Sequence, residues 1–135
     1  MMIKVVKKFP TNVEFNKLLD AVEWGKRDNK IINKQRAASC FAVSAYDKDN
    51  IVGMGRVIGD GSNFIIFDLV VDEAYQNKGI GTQLMDAIIK WFEKNRDEHG
   101  RLMLFSAGGV ESFYEKLGFV TRPYEYLGAG MIYIK

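Results

Sequence analysis

The chain has one cysteine and one histidine in 135 residues. Cys40, being alone, excludes an internal disulfide, and with His99 the only histidine there is no credible set of zinc ligands. Net charge is also small. Nineteen basic residues against seventeen acidic ones leave +2, with no basic arm that would argue for nucleic acid or a membrane surface as a partner. No apolar run approaches the ~18 residues of a membrane span. The start, Met1-Met2-Ile3-Lys4-Val5, does not have the shape of a secretory signal, so the cytoplasm is the expected compartment. Internal repeats and low-complexity tracts are absent. So are two nucleotide signatures. Nothing matches G-x-x-x-x-G-K-[ST], and each Gly-x-Gly pair (Gly53 with Gly55, Gly79 with Gly81) lacks the third glycine of G-x-G-x-x-G, having Ile58 and Leu84 there.

What is present is enough for one core. Hydrophobic residues make up 47% of the chain, and the length is that of one domain spanning residues 1–135. The most informative segment is Tyr75-Gln76-Asn77-Lys78-Gly79-Ile80-Gly81-Thr82. It joins an apolar run at 64–71 to an amphipathic run at 80–92, so a strand, a glycine-containing loop and a helix start follow in that order. First-turn amides of a helix have no intrahelical partner, and the helix dipole adds partial positive charge there, so a phosphate fits. Gly79 and Gly81 have no Cβ to hold an anion off the backbone, and Lys78 adds a full charge. The physical reading is a pyrophosphate site of main-chain donors. The bland alternative is a glycine-eased turn with no ligand.

The remaining pattern reads as follows. Residues 2–8 are strand-like. Thr11 followed by Glu14 is a capping-box signal, and Phe15, Leu18, Leu19 and Val22 recur at helical spacing, which predicts a helix over 12–24 ended by Gly25. Residues 26–39 predict a second short helix with flanking loops. Strands are expected at 41–46 and 51–58 around a turn at 47–50. A second turn at 59–63 leads to a strand at 64–71 that should be buried on both faces. Ile80, Leu84, Ile88, Trp91 and Phe92 form one helical stripe. A strand at 102–105, a short helix at 110–117 ended by Gly118, and strands at 119–121 and 131–134 complete the order. That order predicts an α/β fold with a mixed sheet and helices on its faces.

Gln-x-x-Gly-x-Gly after a strand ending Leu69-Val70-Val71 resembles the pyrophosphate loop of the GNAT superfamily of acyl-CoA-dependent N-acyltransferases. The stretch Phe113-Tyr114-Glu115-Lys116-Leu117-Gly118-Phe119 is similar to a second motif of that family, F-Y-x-x-x-G-F, in the family's order and separation. The likeness covers residues 40–135 well and the first forty loosely. Residues 52–56 and 67–71 look like small bacterial members and aralkylamine-type N-acetyltransferases. The resemblance implies the GNAT fold, a mixed twisted sheet of about six or seven strands with helices on both faces. It implies acetyl-CoA as cosubstrate, no metal, and transfer of acetyl to a primary amine by direct attack in a ternary complex. A small-molecule amine is the expected acceptor, and a peptide or protein amine is its rival. A catalytically silent CoA-binding module is the rival class. The family also offers a homodimer through its C-terminal strands.

Carried onto this chain, the resemblance marks Tyr114 as the group that protonates or hydrogen-bonds the departing CoA sulfur. It assigns backbone hydrogen bonds with the acetyl carbonyl and pantetheine arm to Leu69, Val70 and Val71. Gln76, Asn77, Lys78, Gly79, Ile80, Gly81 and Thr82 form the pyrophosphate loop, chiefly through main-chain amides, with the Ile80 side chain in the core. Asp68 is the only charge in its apolar run. Burial there should raise its pKa and make it a base for the amine proton. Equally, it reads as a structural ion pair with Arg56 on the neighbouring strand. Two positions depart from the family pattern: Glu73 stands where many relatives have proline, and Ala107 where many have Asn or Asp. Residues 26–39 match nothing firmly. His99 reads as solvated and Cys40 as a small core residue. Trp24, Tyr124, Tyr126 and Tyr133 read as an aromatic-accepting wall, or else as core or dimer interface.

Overall fold

The computed structural model describes every residue, Met1–Lys135. Two compact units divide it, Met1–Met103 and Leu104–Lys135. The first contains β1 (Ile3–Val6), α1 (Asn12–Ala21), α2 (Asn29–Ala38), β2 (Phe41–Asp47), β3 (Asn50–Gly59), β4 (Asn63–Val71) and α3 (Ile80–Asn95), and it ends within β5 (Arg101–Leu104). The second contains α4 (Glu111–Glu115).

The five strands form one sheet in chain order, β1 to β5. The first three pairings are antiparallel and built from hairpins or returns. β4 and β5 are joined through α3, the crossover a parallel neighbour requires, so the sheet is mixed. Arg101 N–H donates to the Ser62 carbonyl at 2.8 Å, which sets the start of β5 beside the start of β4.

Local chemistry accounts for the helix ends. The Thr11 hydroxyl accepts from Glu14 N–H at 3.1 Å, and the Glu14 carboxylate accepts from Thr11 N–H at 3.0 Å, the reciprocal capping box expected for α1. α1 stops at Ala21, short of the expected 24, because Glu23 and Gly25 adopt positive φ of 62° and 84°. Asp28 caps α2 by accepting from Lys30 N–H at 2.8 Å.

Alternation along β3 divides the layers. Met54 packs with Phe15, Leu18, Leu19, Ile32 and Val70 beneath α1 and α2. Gly53 and Gly55 face α3 instead. A Cβ on Gly53 would lie 3.0 Å from Leu84 Cδ1, and one on Gly55 would lie 3.2 Å from Ile88 Cδ1, so α3 rests directly on the strand. α3 buries Ile80, Leu84, Met85, Ile88 and Phe92. Each such side chain stabilises the fold by about 1.5–3 kcal/mol through loss of apolar surface. Trp91 is half-buried and stacks on Phe41 with ring centroids 4.9 Å apart.

Two expectations need correction. β4 is not buried on both faces: Phe64, Ile66 and Val70 are buried, whereas Phe67 is 37% exposed and Asp68, Leu69 and Val71 are half-buried. The Arg56 guanidinium lies over the Phe67 ring, 5.4 Å from its centroid. The sheet also has five strands, not six or seven. Residues 119–121 and 131–134 form no strands, and Met131, Ile132, Tyr133 and Ile134 are 76–91% exposed. A strand exists through its partner's ladder. Within Leu104–Lys135 the only bridge is Tyr124 with Leu127, so strong β propensity has nothing to pair with.

Candidate functional site

The loop after β4 is held by its own side chains. Asp72 N–H donates to the Val52 carbonyl at 2.9 Å, and the Asp72 carboxylate accepts from Ala74 N–H at 3.0 Å, opening one 3₁₀ turn, Glu73–Tyr75. Asp72 thus starts the turn, directly before Glu73. Gln76 Nε2 donates to the Val71 carbonyl at 2.9 Å and ties the loop to the end of β4. Asn77 and Gly79 take left-handed φ of 61° and 81°. The first donor within α3 is Gln83 N–H, to the Gly79 carbonyl at 3.1 Å. The amides of Ile80, Gly81 and Thr82 precede that bond, and no side chain caps the helix. Gln76, Asn77, Lys78, Gly79 and Thr82 are exposed, and the Ile80 side chain is buried as expected. A Cβ on Gly79 would meet nothing within 4 Å, so the space above the helix end is open.

β4 carries a bulge. Val70 pairs with Met54 and Phe67 with Arg56, so Gly55 alone stands opposite both Asp68 and Leu69. Asp68 is the extra residue and takes φ 54°, a conformation aspartate tolerates better than most L-residues. The bulge reverses which face each residue serves. Phe64 packs against Trp91 and Phe92 of α3, and Leu69 lies against Gly55 on that same face, whereas Val70 joins the α1 core. β5 has four residues, about 13 Å, and begins at Ser62. It therefore stops short of Leu69, Val70 and Val71, whose edge turned from β3 has no β5 partner.

The Asp68 carboxylate lies between two guanidiniums. Arg56 Nε donates to Oδ2 at 2.7 Å, Arg27 Nη1 to Oδ2 at 3.0 Å and Arg27 Nη2 to Oδ1 at 2.8 Å. The side chains of Asp68 and Arg56 are each 7% exposed. Arg27 is fixed at its backbone by Asn16, whose amide donates to the Arg27 carbonyl at 3.0 Å and accepts from Arg27 N–H at 2.8 Å. Its Nη1 also donates to Gln35 Oε1 at 3.0 Å. Burial pushes the Asp68 carboxyl up, but hydrogen bonds and charge from Arg27 and Arg56 outweigh it and hold the group below its ordinary value. The raised pKa expected from burial is therefore overturned, because the run's single charge is paired twice. The Arg56 partner was legible in the sequence. Arg27, Gln35 and Asn16 carried no signal there, lying in a polar segment without a motif.

In the second unit, Tyr114 is half-buried, with its ring centroid 4.9 Å from Phe113 and 6.1 Å from Phe119. Burial pushes its phenol up, which keeps it protonated and able to donate. Gly118 at φ 101° and the bond from Phe119 N–H to the Tyr114 carbonyl, 3.2 Å, close the turn after α4.

Cys40 is exposed, not a core residue. It lies just before β2, where its Sγ donates to the Val57 carbonyl at 3.3 Å, and partial burial of the sulfur pushes the thiol up. His99 is 83% exposed at its side chain. Trp24, Tyr126 and Tyr133 are 55–90% exposed, which removes the core alternative for them. No three histidine, cysteine or acidic side chains are placed to share a metal ion, and no helix is long and apolar enough to cross a membrane.

Comparison with known proteins is consistent across sequence and structure. The acetyltransferase (GNAT) domain family matches residues 16–135. The solved structure of a probable acetyltransferase of unknown function from methicillin-resistant Staphylococcus aureus superposes with a TM-score of 0.88 at 31% identity, over 99% of each chain. A GNAT-family acetyltransferase from Streptococcus pneumoniae superposes with a TM-score of 0.83 at 28% identity, over 99% of this chain and 98% of that one. An uncharacterized N-acetyltransferase from Porphyra purpurea is 33% identical over 115 residues, 82% of this chain and 65% of that protein. The chain spans 62–65% of the length of such curated relatives.

Proposed function

The chain belongs to the GNAT acetyltransferase family, and from that premise we propose that it transfers acetyl from acetyl-CoA to a primary amine of a small molecule by direct attack. The observation that carries the reading is the open N-terminus of α3, joined to the bulged strand β4 by the loop at 72–79. Amides of Ile80, Gly81 and Thr82, the space over Gly79 and the charge of Lys78 fit a pyrophosphate. Asn77 sets the turn through its left-handed φ, and Gln76 anchors the loop to Val71. The backbone edge of Leu69, Val70 and Val71, beyond the reach of β5, fits hydrogen bonding to an extended arm and an acyl oxygen.

The bound thioester supplies a carbonyl carbon already open to attack by nitrogen. The protein's share is positioning and proton handling. The amine nitrogen loses one proton in forming the amide, and the departing sulfur gains one. In this reading the Tyr114 phenol, kept protonated by burial, donates to the sulfur. Asp68 takes the structural half of its two readings. Protonating it would break the ion pairs to Arg27 and Arg56, so it stays ionised and holds the bulge, and the amine loses its proton to water or arrives neutral.

Thiol release from acetyl-CoA with a panel of primary amines tests the proposal. Amine-dependent release with the matching N-acetyl product is expected. CoA binding without release on any amine would mark a silent binding module instead.

A further inference from the structure

We infer that the acceptor amine carries an anionic group, a carboxylate or a phosphate, that docks on Arg27. The inference rests on the transferase reading above and names the substrate class for it. Two guanidiniums, Arg27 and Arg56, share the single carboxylate of Asp68, and neither meets another acid. Acids on the neighbouring elements are engaged elsewhere. Glu14 serves Thr11 and Tyr46, Asp28 caps α2, and Asp20 faces Lys26. One unit of positive charge is left over at a place poorly screened by water.

The guanidinium of Arg27 is also not filled. It has five N–H donors. Nη1 uses both of its own, on Gln35 and Asp68, and Nη2 uses one on Asp68. The N–H of Nε and the second N–H of Nη2 remain. These two lie parallel on one edge of the plane, the fork that takes a carboxylate or phosphate with two bonds. The Arg27 side chain is 28% exposed against 7% for Arg56, so Arg27 is the one a ligand reaches. Its setting is electropositive as well. Residues 26–38 hold five basic side chains against one acid, a net +4 in a chain whose total is +2.

The placement suits the reaction. Asp68 directly precedes Leu69, so the fork is fixed to the strand proposed to hold the acyl group. α3, with its anion-binding end, packs on the face of β3 that Gly53 and Gly55 occupy, whereas Arg27 packs over the Phe15 ring on the α1 face. The two sites approach the sheet from opposite sides. An amine held through its anionic tail at Arg27 therefore comes to the acyl carbon from the side that CoA leaves free.

Matched amines test this. Ethanolamine is compared with O-phosphoethanolamine, and phenethylamine with phenylalanine, by kcat/KM at low salt. The anionic member of at least one pair should be favoured by about tenfold, and the advantage should shrink as salt is raised to about 0.5 M. The pair that responds identifies phosphate or carboxylate as the group. Arg27→Gln should bring the ratio to about one, and Arg27→Lys should keep part of it. Neutral members turned over as well as or better than their anionic partners would overturn the inference and leave the transferase reading intact, as would a folded Arg27→Gln protein that keeps the preference. If no amine is acetylated, the transferase reading fails. Calorimetric titration of the same four amines into CoA-saturated protein then decides the inference, and equal binding overturns it.

Discussion

Arg27 and Asp68 lie 41 residues apart in the chain and meet through two hydrogen bonds of 3.0 and 2.8 Å. The contact fastens the connection between α1 and α2 to the β4 bulge. It also fixes the charge of the carboxylate, because a proton added there would have to displace a bidentate arginine.

Asp68→Asn removes that charge and leaves two guanidiniums without a counterion. The folded carboxyl sits below its ordinary value of about 3.9. The ion pairs therefore contribute fully above the unfolded pKa, and the contribution is lost as pH falls through the lower, folded one. At pH 7 the variant should be less stable by about 3 kcal/mol, and the gap should narrow only as pH falls below the ordinary carboxylate value. Thermal melts across pH measure this. The acidic limb of the pH–rate profile should be the same in both proteins. Its disappearance in the variant would show that Asp68 takes the amine's proton after all.

Gly79→Trp places a large side chain in the open space above α3 and asks an L-residue to hold φ 81°. The backbone cost is about 1–2 kcal/mol, which the fold should survive. CoA affinity should fall by more than about tenfold while circular dichroism stays that of the parent. Unchanged affinity would remove the loop as the pyrophosphate site.

Tyr114→Phe deletes only the hydroxyl and keeps the ring beside Phe113 and Phe119. CoA affinity should hold, and turnover should drop by about a hundredfold. Rapid-quench single turnovers on a good amine separate the chemical step from product release. An unchanged rate there would end the leaving-group role.

Gly55→Ala introduces a Cβ 3.1 Å from Leu69 Cδ1 and 3.2 Å from Ile88 Cδ1. Both neighbours are flexible side-chain ends that can yield, so the cost should be about 1–2 kcal/mol rather than unfolding. Urea denaturation checks it. No loss of stability would mean that α3 rides more loosely on β3 than the packing indicates.

The parts of this molecule legible from the sequence are those whose bonds close within a few residues. The capping box joins Thr11 to Glu14, and the stripe from Ile80 to Phe92 recurs every three or four positions along one helix. The glycine loop between an apolar strand and that helix is likewise contiguous, so the order of strand, loop and open helix end could be read before any contact was known.

What only the tertiary structure decided depends on register and on partners distant in the chain. Which cations pair with the Asp68 carboxylate could not be read from its own strand, and one of them, Arg27, comes from a segment with no motif. The bulge at Asp68 exists because Gly55 stands opposite two residues, a mismatch between two strands that neither strand contains alone. Propensity likewise suggested strands at 119–121 and 131–134, where no ladder forms. Local hydrogen bonds and periodicity are written into neighbouring residues, whereas pairing, burial and pKa belong to the meeting of segments, and those were settled by the fold.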